Sequence, residues 1–220
     1  LAEVALPPNR VISDSILLVR ADLSNLLGRT FFVSNEFASR TLLFDASVPF
    51  MKNYDWIKDL KIIYQKALGL YQGGNTELES YFRQEEIDRL GELGLRPIHV
   101  FDSVEDFVKH SEPSWETFAA VAAARRDFFL YEQKGEMSQK TVWESELPPR
   151  SETLEGIEWL PRILKKAECF LDGGLSEETM FGCGGDRAFL KKFDVHPADF
   201  LRIVWASRGD ASKVLAYLRH

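Results

Sequence analysis

Residues 180–197 read MFGCGGDRAFLKKFDVHP and set Cys183 among Gly182, Gly184 and Gly185, just ahead of a helix-like run. Three readings fit: a glycine-rich phosphate cradle, a nucleophilic thiolate, or a turn with no chemistry of its own. A Walker-type loop needs Lys and Ser or Thr directly after its glycine, to reach phosphate and magnesium. Asp186 and Arg187 stand there instead. A carboxylate at a helix start suits the backbone amides and repels phosphate. A dinucleotide fingerprint also fails, because no hydrophobic strand precedes Gly182. The turn is expected to serve backbone geometry, with Asp186 capping the helix that carries Phe189, Leu190 and Phe193. Cys183 lies where a helix N-terminus stabilises a thiolate. Its nearest histidine in sequence is His196, and a Cys–His pair needs contact in space plus an orienting group. A small, partly buried thiol is the simpler reading.

Arg150 and Arg162 each follow a proline near an expected domain junction. A guanidinium binds carboxylate or phosphate through two parallel N–H bonds, although an inter-domain ion pair is the plainer use. Arg150, Arg162 and Cys183 are therefore the candidate ligand-binding residues. The histidines at 99, 110, 196 and 220 form no HxxxH or HExxH pattern, so no metal site is expected. Glu85, Glu86 and Asp88 share a charged segment with Arg83 and Arg89, which reads as a solvated helix face rather than paired acid–base carboxylates. Asp102 ends the strand-like run IHVFD, a place that α/β enzymes use for chemistry, but helix capping accounts for it.

Composition sets the bounds around these residues. The 220-residue chain is 45% hydrophobic and 28% charged, with 16 Phe and 5 Trp, so an ordinary globular core rich in rings is expected. A net charge of −7 argues against a nucleic-acid surface, which needs clustered Lys and Arg. The doublets Arg125-Arg126, Lys165-Lys166 and Lys191-Lys192 read as solvated helix faces. Cys169 and Cys183 fit no zinc ribbon or CxxC motif, and so low a cysteine content points to a cytoplasmic protein with reduced thiols. The longest apolar run, TFAAVAAA, is far short of the ~20 residues that span a bilayer, and the start LAEVALPPNRV lacks export features. A soluble protein with no membrane segment is expected.

The elements that must position these residues follow from periodicity and punctuation. Gly135, Pro148, Pro149 and the polar residues between them predict a linker over 135–150. It would separate a larger N-terminal domain (1–135), mainly helical with minor strand content, from a small helical domain (146–220). In the first domain, Ser13 or Asp14 is placed to cap a helix ending at Gly28. TFFVSNEF and RTLLFDASVPF fit strand or helix equally. Trp56, Leu60, Ile63, Ala67 and Leu70 predict a helix stopped by Gly73-Gly74, and residues 75–93 a second. RPIHV reads as a short strand, after which Asp102 or Ser103 caps a short helix. Ser114 is placed to cap a helix running toward Gly135, whose small face from Ala119 to Ala124 invites close approach by another helix. In the second domain, Thr153 is expected to cap a helix through Ile157, Leu160, Ile163, Leu164 and Ala167 that begins or kinks at Pro161. Three short helices over 186–193, 197–206 and 210–219 complete it, with Pro197 in a first turn and Asp210 capping the last.

Residues 146–219 carry a recognisable order of motifs: Pro149-Arg150-Ser151, Gly156, Leu160-Pro161-Arg162, Lys166, DRAFLKKFDV from Asp186, and a closing DASKVLAYL. In that order and spacing they resemble the bacterial domain of unknown function 5069 family. The family places an acidic residue before the lysine and a basic one two after it; here Lys165 and Glu168 exchange those charges. An i,i+3 ion pair survives the exchange and a catalytic acid or base does not. The resemblance implies a small helical domain and no reaction. The expected function is a non-enzymatic binding or regulatory module, without cofactor, for a protein partner or a small anionic ligand. The alternative is an enzyme acting on a small anionic metabolite, with Arg150, Arg162 and Cys183 around an inter-domain cleft.

Overall fold

The computed structural model describes residues 53–219. The helix expected near Ser13 and the segments TFFVSNEF and RTLLFDASVPF lie outside the described residues. Within them the protein is mainly helical, with eight α-helices and one two-stranded ladder. Helices α1 (Trp56–Gln72), α2 (Gln84–Glu92) and α3 (Pro97–His110) precede α4 (Trp115–Tyr131). Helices α5 (Leu160–Asp172), α6 (Gly184–Lys192), α7 (Pro197–Ser207) and α8 (Ala211–Leu218) follow it.

Two apolar cores divide the helices. Leu60, Ile63 and Ala67 of α1 pack with Leu90 of α2, Val100 and Val104 of α3, and Phe118 and Ala122 of α4. The second core joins Ala124 of α4 to Ile163 and Phe170 of α5, Leu190 of α6, Phe200 and Leu201 of α7, and Val214 of α8. Full burial of each such aliphatic or aromatic side chain is worth about 1.5–3 kcal/mol. Helix α4 feeds both cores, so its apolar residues form no single stripe, and α7 packs along it. Its cap is the expected one: Ser114 Oγ accepts the amide N–H of Thr117 at 3.2 Å.

The helix expected over 75–93 shortens to α2, and Arg125 and Lys166, expected on solvated faces, are buried. Three further expectations fail for identifiable reasons. RPIHV is not a strand. Pro97 takes the first helical position and His99 Nδ1 accepts the Arg96 amide at 3.2 Å, so α3 starts six residues early and Ser103 lies buried inside it. Thr153 caps no helix. Thr153–Leu154 and Ile157–Glu158 pair antiparallel across Glu155 (φ +51°) and Gly156 (φ +79°), the two-residue turn with positive φ at both positions. Helix α5 then starts at Leu160, with Pro161 in its first turn. Asp186 is not the cap of α6 either. Cys183 occupies that position and Gly184 starts the helix, which moves Asp186 into the first turn. By contrast α1 stops at Gly73, α7 starts at Pro197, and Asp210 caps α8 by accepting the Ser212 amide at 3.0 Å.

Between α4 and the hairpin, Val142 forms a parallel bridge with Leu175: its N–H donates to Gly174 O at 2.7 Å and its carbonyl accepts from Ser176 at 3.1 Å. Gly174 permits this approach, since a Cβ there would lie 2.5 Å from Lys140 O.

Candidate functional site

The stretch MFGCGGDRAFLKK surrounds a buried ion pair. Asp186 has no exposed surface, and its carboxylate meets Lys166 Nζ from α5. It also accepts the Gly182 amide at 3.0 Å and the Trp159 indole N–H at 3.0 Å. The carboxylate thus has charge compensation and directed donors together, without which burial is costly. Arg187 closes the other side of the turn, donating to Gly182 O at 2.6 Å and to Asp106 of α3 at 2.8 Å. Trp159 holds its position at a left-handed backbone angle (φ +73°), and its ring lies where a Cβ on Gly185 would come within 2.7 Å. Glycine 185 therefore serves ring packing, and the first turn of α6 is filled by protein. Cys183 Sγ receives a hydrogen bond from Lys166 Nζ at 3.4 Å.

Above this turn lies an open cleft of about 300 Å³ between α3 and the α5–α6 region. Arg150, Arg162 and Cys183 all line it. Arg162 is occupied: it donates to Pro148 O at 3.0 Å and to Glu144 at 2.8 Å. Arg150 is exposed, 3.9 Å from Glu144, with its guanidinium 5.7 Å from the centre of the Trp159 ring. Cys183 and His196 are not brought together. His196 caps α7 by accepting the Ala198 amide at 3.2 Å and lines a separate groove.

The facing wall is acidic. Asp102, Glu105 and Asp106 project from α3, and Glu177 and Glu178 come from the loop before α6. Glu105 accepts from Lys109 at 2.8 Å and Tyr71 at 2.9 Å; the Lys109 bond leads in holding its carboxyl below the usual range. Asp106 is held by Arg187. Asp102 has no hydrogen-bond or ion-pair partner among the described residues. Burial, then the charges of Glu105, Asp106 and Glu177, push its carboxyl up to about 7.

Next to the cleft is a small, mostly apolar chamber of about 40 Å³, and Asp102, Thr179 and Met180 line both spaces. Phe118, Val121, Phe170 and Phe181 line it, with Thr117 and Arg187. His99 also faces it. Burial, with Arg125 and Arg96 nearby, takes its imidazole down to about 3, so it stays neutral and is a poor base at physiological pH. Among the described residues no group of three or more His, Cys, Asp or Glu is placed to hold a metal ion.

Sequence reasoning missed Asp102, Glu177 and Glu178 as site residues and the Lys166–Asp186 pair. Lys166 carried one signal: it interrupts the apolar stripe Leu160, Ile163, Ala167 and Phe170, where a charge needs a buried partner. In the acidic wall Asp102 carried one, the strand-end position set aside in favour of capping, while Glu177 and Glu178 carried none, because only packing brings their loop to α3.

Two predictions arise here. Asp102 binds its proton more tightly folded than unfolded, where an Asp carboxyl titrates near 3.9. The folded protein therefore holds the extra proton between about pH 4 and 7, and Asp102's stabilising contribution is present below that window and lost as pH rises through it. Asp102→Asn should match wild type at pH 4 and exceed it by about 2 kcal/mol at pH 8, roughly half the unscreened value because the group borders an open cleft. Urea melts of both proteins at the two pH values check this; a variant less stable at pH 8 contradicts it. The thiols are both free, Cys169 buried and Cys183 partly exposed. Burial raises the Cys169 thiol, so a native-state thiol reagent should modify Cys183 well before Cys169. Equal rates would contradict that order.

The chain matches no protein-family model, no curated protein and no solved structure.

Proposed function

We propose that the protein is a non-enzymatic binding module of regulatory type whose ligand, a small polar molecule, occupies the cleft between α3 and α5–α6. One observation carries this reading. The cleft gathers Asp102, Glu177, Glu178 and Arg150, which no strong ion pair among the described residues consumes, above a buried pair that forms its floor. Concave sites with a few convergent polar groups are where small ligands bind. Among the described residues no histidine stands beside Cys183, which supports binding without turnover. The motif order over 146–219 supports placing that region with the domain of unknown function 5069 family.

The second reading is an enzyme acting on a small anionic metabolite. Convergence of Arg150, Arg162 and Cys183 on one cleft favours it, while the engagement of Arg162 with Glu144 and the acidic facing wall oppose an anion. A thermal-shift panel tests ligand binding: n-butylammonium, butyrate, inorganic phosphate and 4-aminobutyrate, each at millimolar concentration. A ligand of the native state raises the midpoint by mass action, so at least one probe should raise it. No shift with any of the four contradicts the binding reading. Conversion of a bound probe to product, abolished in Cys183→Ser, would establish the enzyme instead.

A further inference from the structure

The charge and shape of the cleft narrow the ligand class, and the inference that follows rests on the binding reading above. Asp102 lies where the polar cleft opens onto the apolar chamber. Its neighbours on α3 have cationic partners, Glu105 in Lys109 and Asp106 in Arg187, and it has none among the described residues. Of the cations that line the cleft, Arg162 is paired with Glu144 and Lys166 with Asp186, while Arg150 is exposed and lies over Trp159. Glu177 and Glu178, both exposed, add negative charge at the mouth.

The chamber supplies a second, independent observation. Ser103, 1% exposed, lines it, and its Oγ has no hydrogen-bond partner among the described residues. Thr179 Oγ1, at the junction of the two spaces, is buried and unpartnered too. Buried hydroxyls are ordinarily paired; Ser103 has the Tyr64 hydroxyl beside it, so Thr179 Oγ1 at the junction marks the place where a polar atom is missing. The rest of the wall is mostly apolar; His99, Thr117 and Arg187 also line it, the last paired with Asp106. A hard divalent ion does not fit, since it needs several oxygen ligands at close range and no such group is present among the described residues.

We infer that this junction binds a primary alkylammonium ion, its nitrogen against Asp102 and Thr179 and its short chain in the chamber beside Phe118 and Phe170. An ammonium has three donors and no acceptor, which matches a carboxylate and the unpartnered Thr179 hydroxyl oxygen. A chamber of about 40 Å³ takes on the order of three or four carbon atoms. Glu177 at the mouth favours approach of the cation.

Calorimetric titration of the whole chain at pH 8 with n-butylammonium chloride tests this, with methylammonium as the tail-less cation and butyrate as the same chain with opposite charge. n-Butylammonium should bind, methylammonium about tenfold or more weakly for its lost apolar burial, and butyrate not at all. Asp102→Asn should weaken n-butylammonium by about 10- to 100-fold, the range for a hydrogen bond to a charged group. Glu177→Gln, at an exposed position, should weaken it by a few-fold with folding intact. Unchanged binding in Asp102→Asn overturns the assignment of the nitrogen site. Binding of butyrate without n-butylammonium overturns the cation inference and leaves the ligand-binding reading standing. Binding of no probe in calorimetry or in the thermal-shift panel overturns both.

Discussion

Replacing Lys166 by Met is expected to destabilise the protein by about 3–5 kcal/mol, a fall in Tm on the order of 10 °C. Among the described residues the substitution leaves a carboxylate with no exposed surface and two neutral donors, the Gly182 amide and the Trp159 indole. Uncompensated buried charge carries a far larger penalty than the lost pair itself contributes. The double variant Lys166→Met with Asp186→Leu removes both charges and should regain part of the loss. Recovery stays partial, because the indole and amide donors then lack an acceptor. Chemical denaturation of the three variants separates these contributions. A loss below about 1 kcal/mol in Lys166→Met would mean that the pair is hydrated, as exposed ion pairs are.

Arg125 is the other position where one substitution should have a large effect. It is fully buried at the place where the two cores meet along α4, with no ion pair among the described residues. Its guanidinium donates to Gln133 Oε1 at 2.7 Å, approaches Met137 Sδ at 3.3 Å, and lies 5.4 Å from the centre of the Phe129 ring. Burial takes its pKa down to about 10, so it remains a cation at neutral pH while bearing a desolvation penalty. Arg125→Ala removes the aliphatic stem as well as the charge and opens a cavity, at an expected cost of about 3–5 kcal/mol. Arg125→Met keeps much of the volume and sheds the buried charge, so it should cost less than half as much. Equal losses in the two variants would show that the hydrogen bonds to Gln133 and Met137, rather than packing, hold α4 to the segment that follows.

The helices were legible where a stripe and its punctuation agree. Trp56, Leu60, Ile63 and Ala67 followed by Gly73 identify α1, and Pro197 and Asp210 mark the starts of α7 and α8. Sequence reading failed where one residue has two competing uses. Pro97 reads as a strand's edge or a helix's first residue, and His99 decides for the helix by accepting the Arg96 amide, a contact visible only after folding. Glu155-Gly156 is a hairpin turn of two residues, too short for its flanking strands to show alternation. Asp186 reads as a cap by position. Its partners Trp159 and Lys166 lie 27 and 20 residues away in sequence and reach it only through tertiary packing. The cleft repeats the same lesson. Arg150, Arg162 and Cys183 were identifiable from prolines and glycines beside them, whereas Asp102 looked like a cap and became the unpartnered group facing them across the cleft.

Ligand occupancy of this cleft can be read most directly by heteronuclear NMR of the uniformly labelled protein during titration with n-butylammonium, butyrate, phosphate and 4-aminobutyrate in turn. The Trp159 indole N–H, fixed against Asp186 at the floor, and the Asp102 backbone amide on the facing wall report from opposite sides of the site. At least one probe should move both signals along a common saturation curve, leaving the Ala198 amide beside His196 unmoved. Saturable shifts confined to the groove around His196, or no saturable shift with any probe, would contradict binding in the cleft.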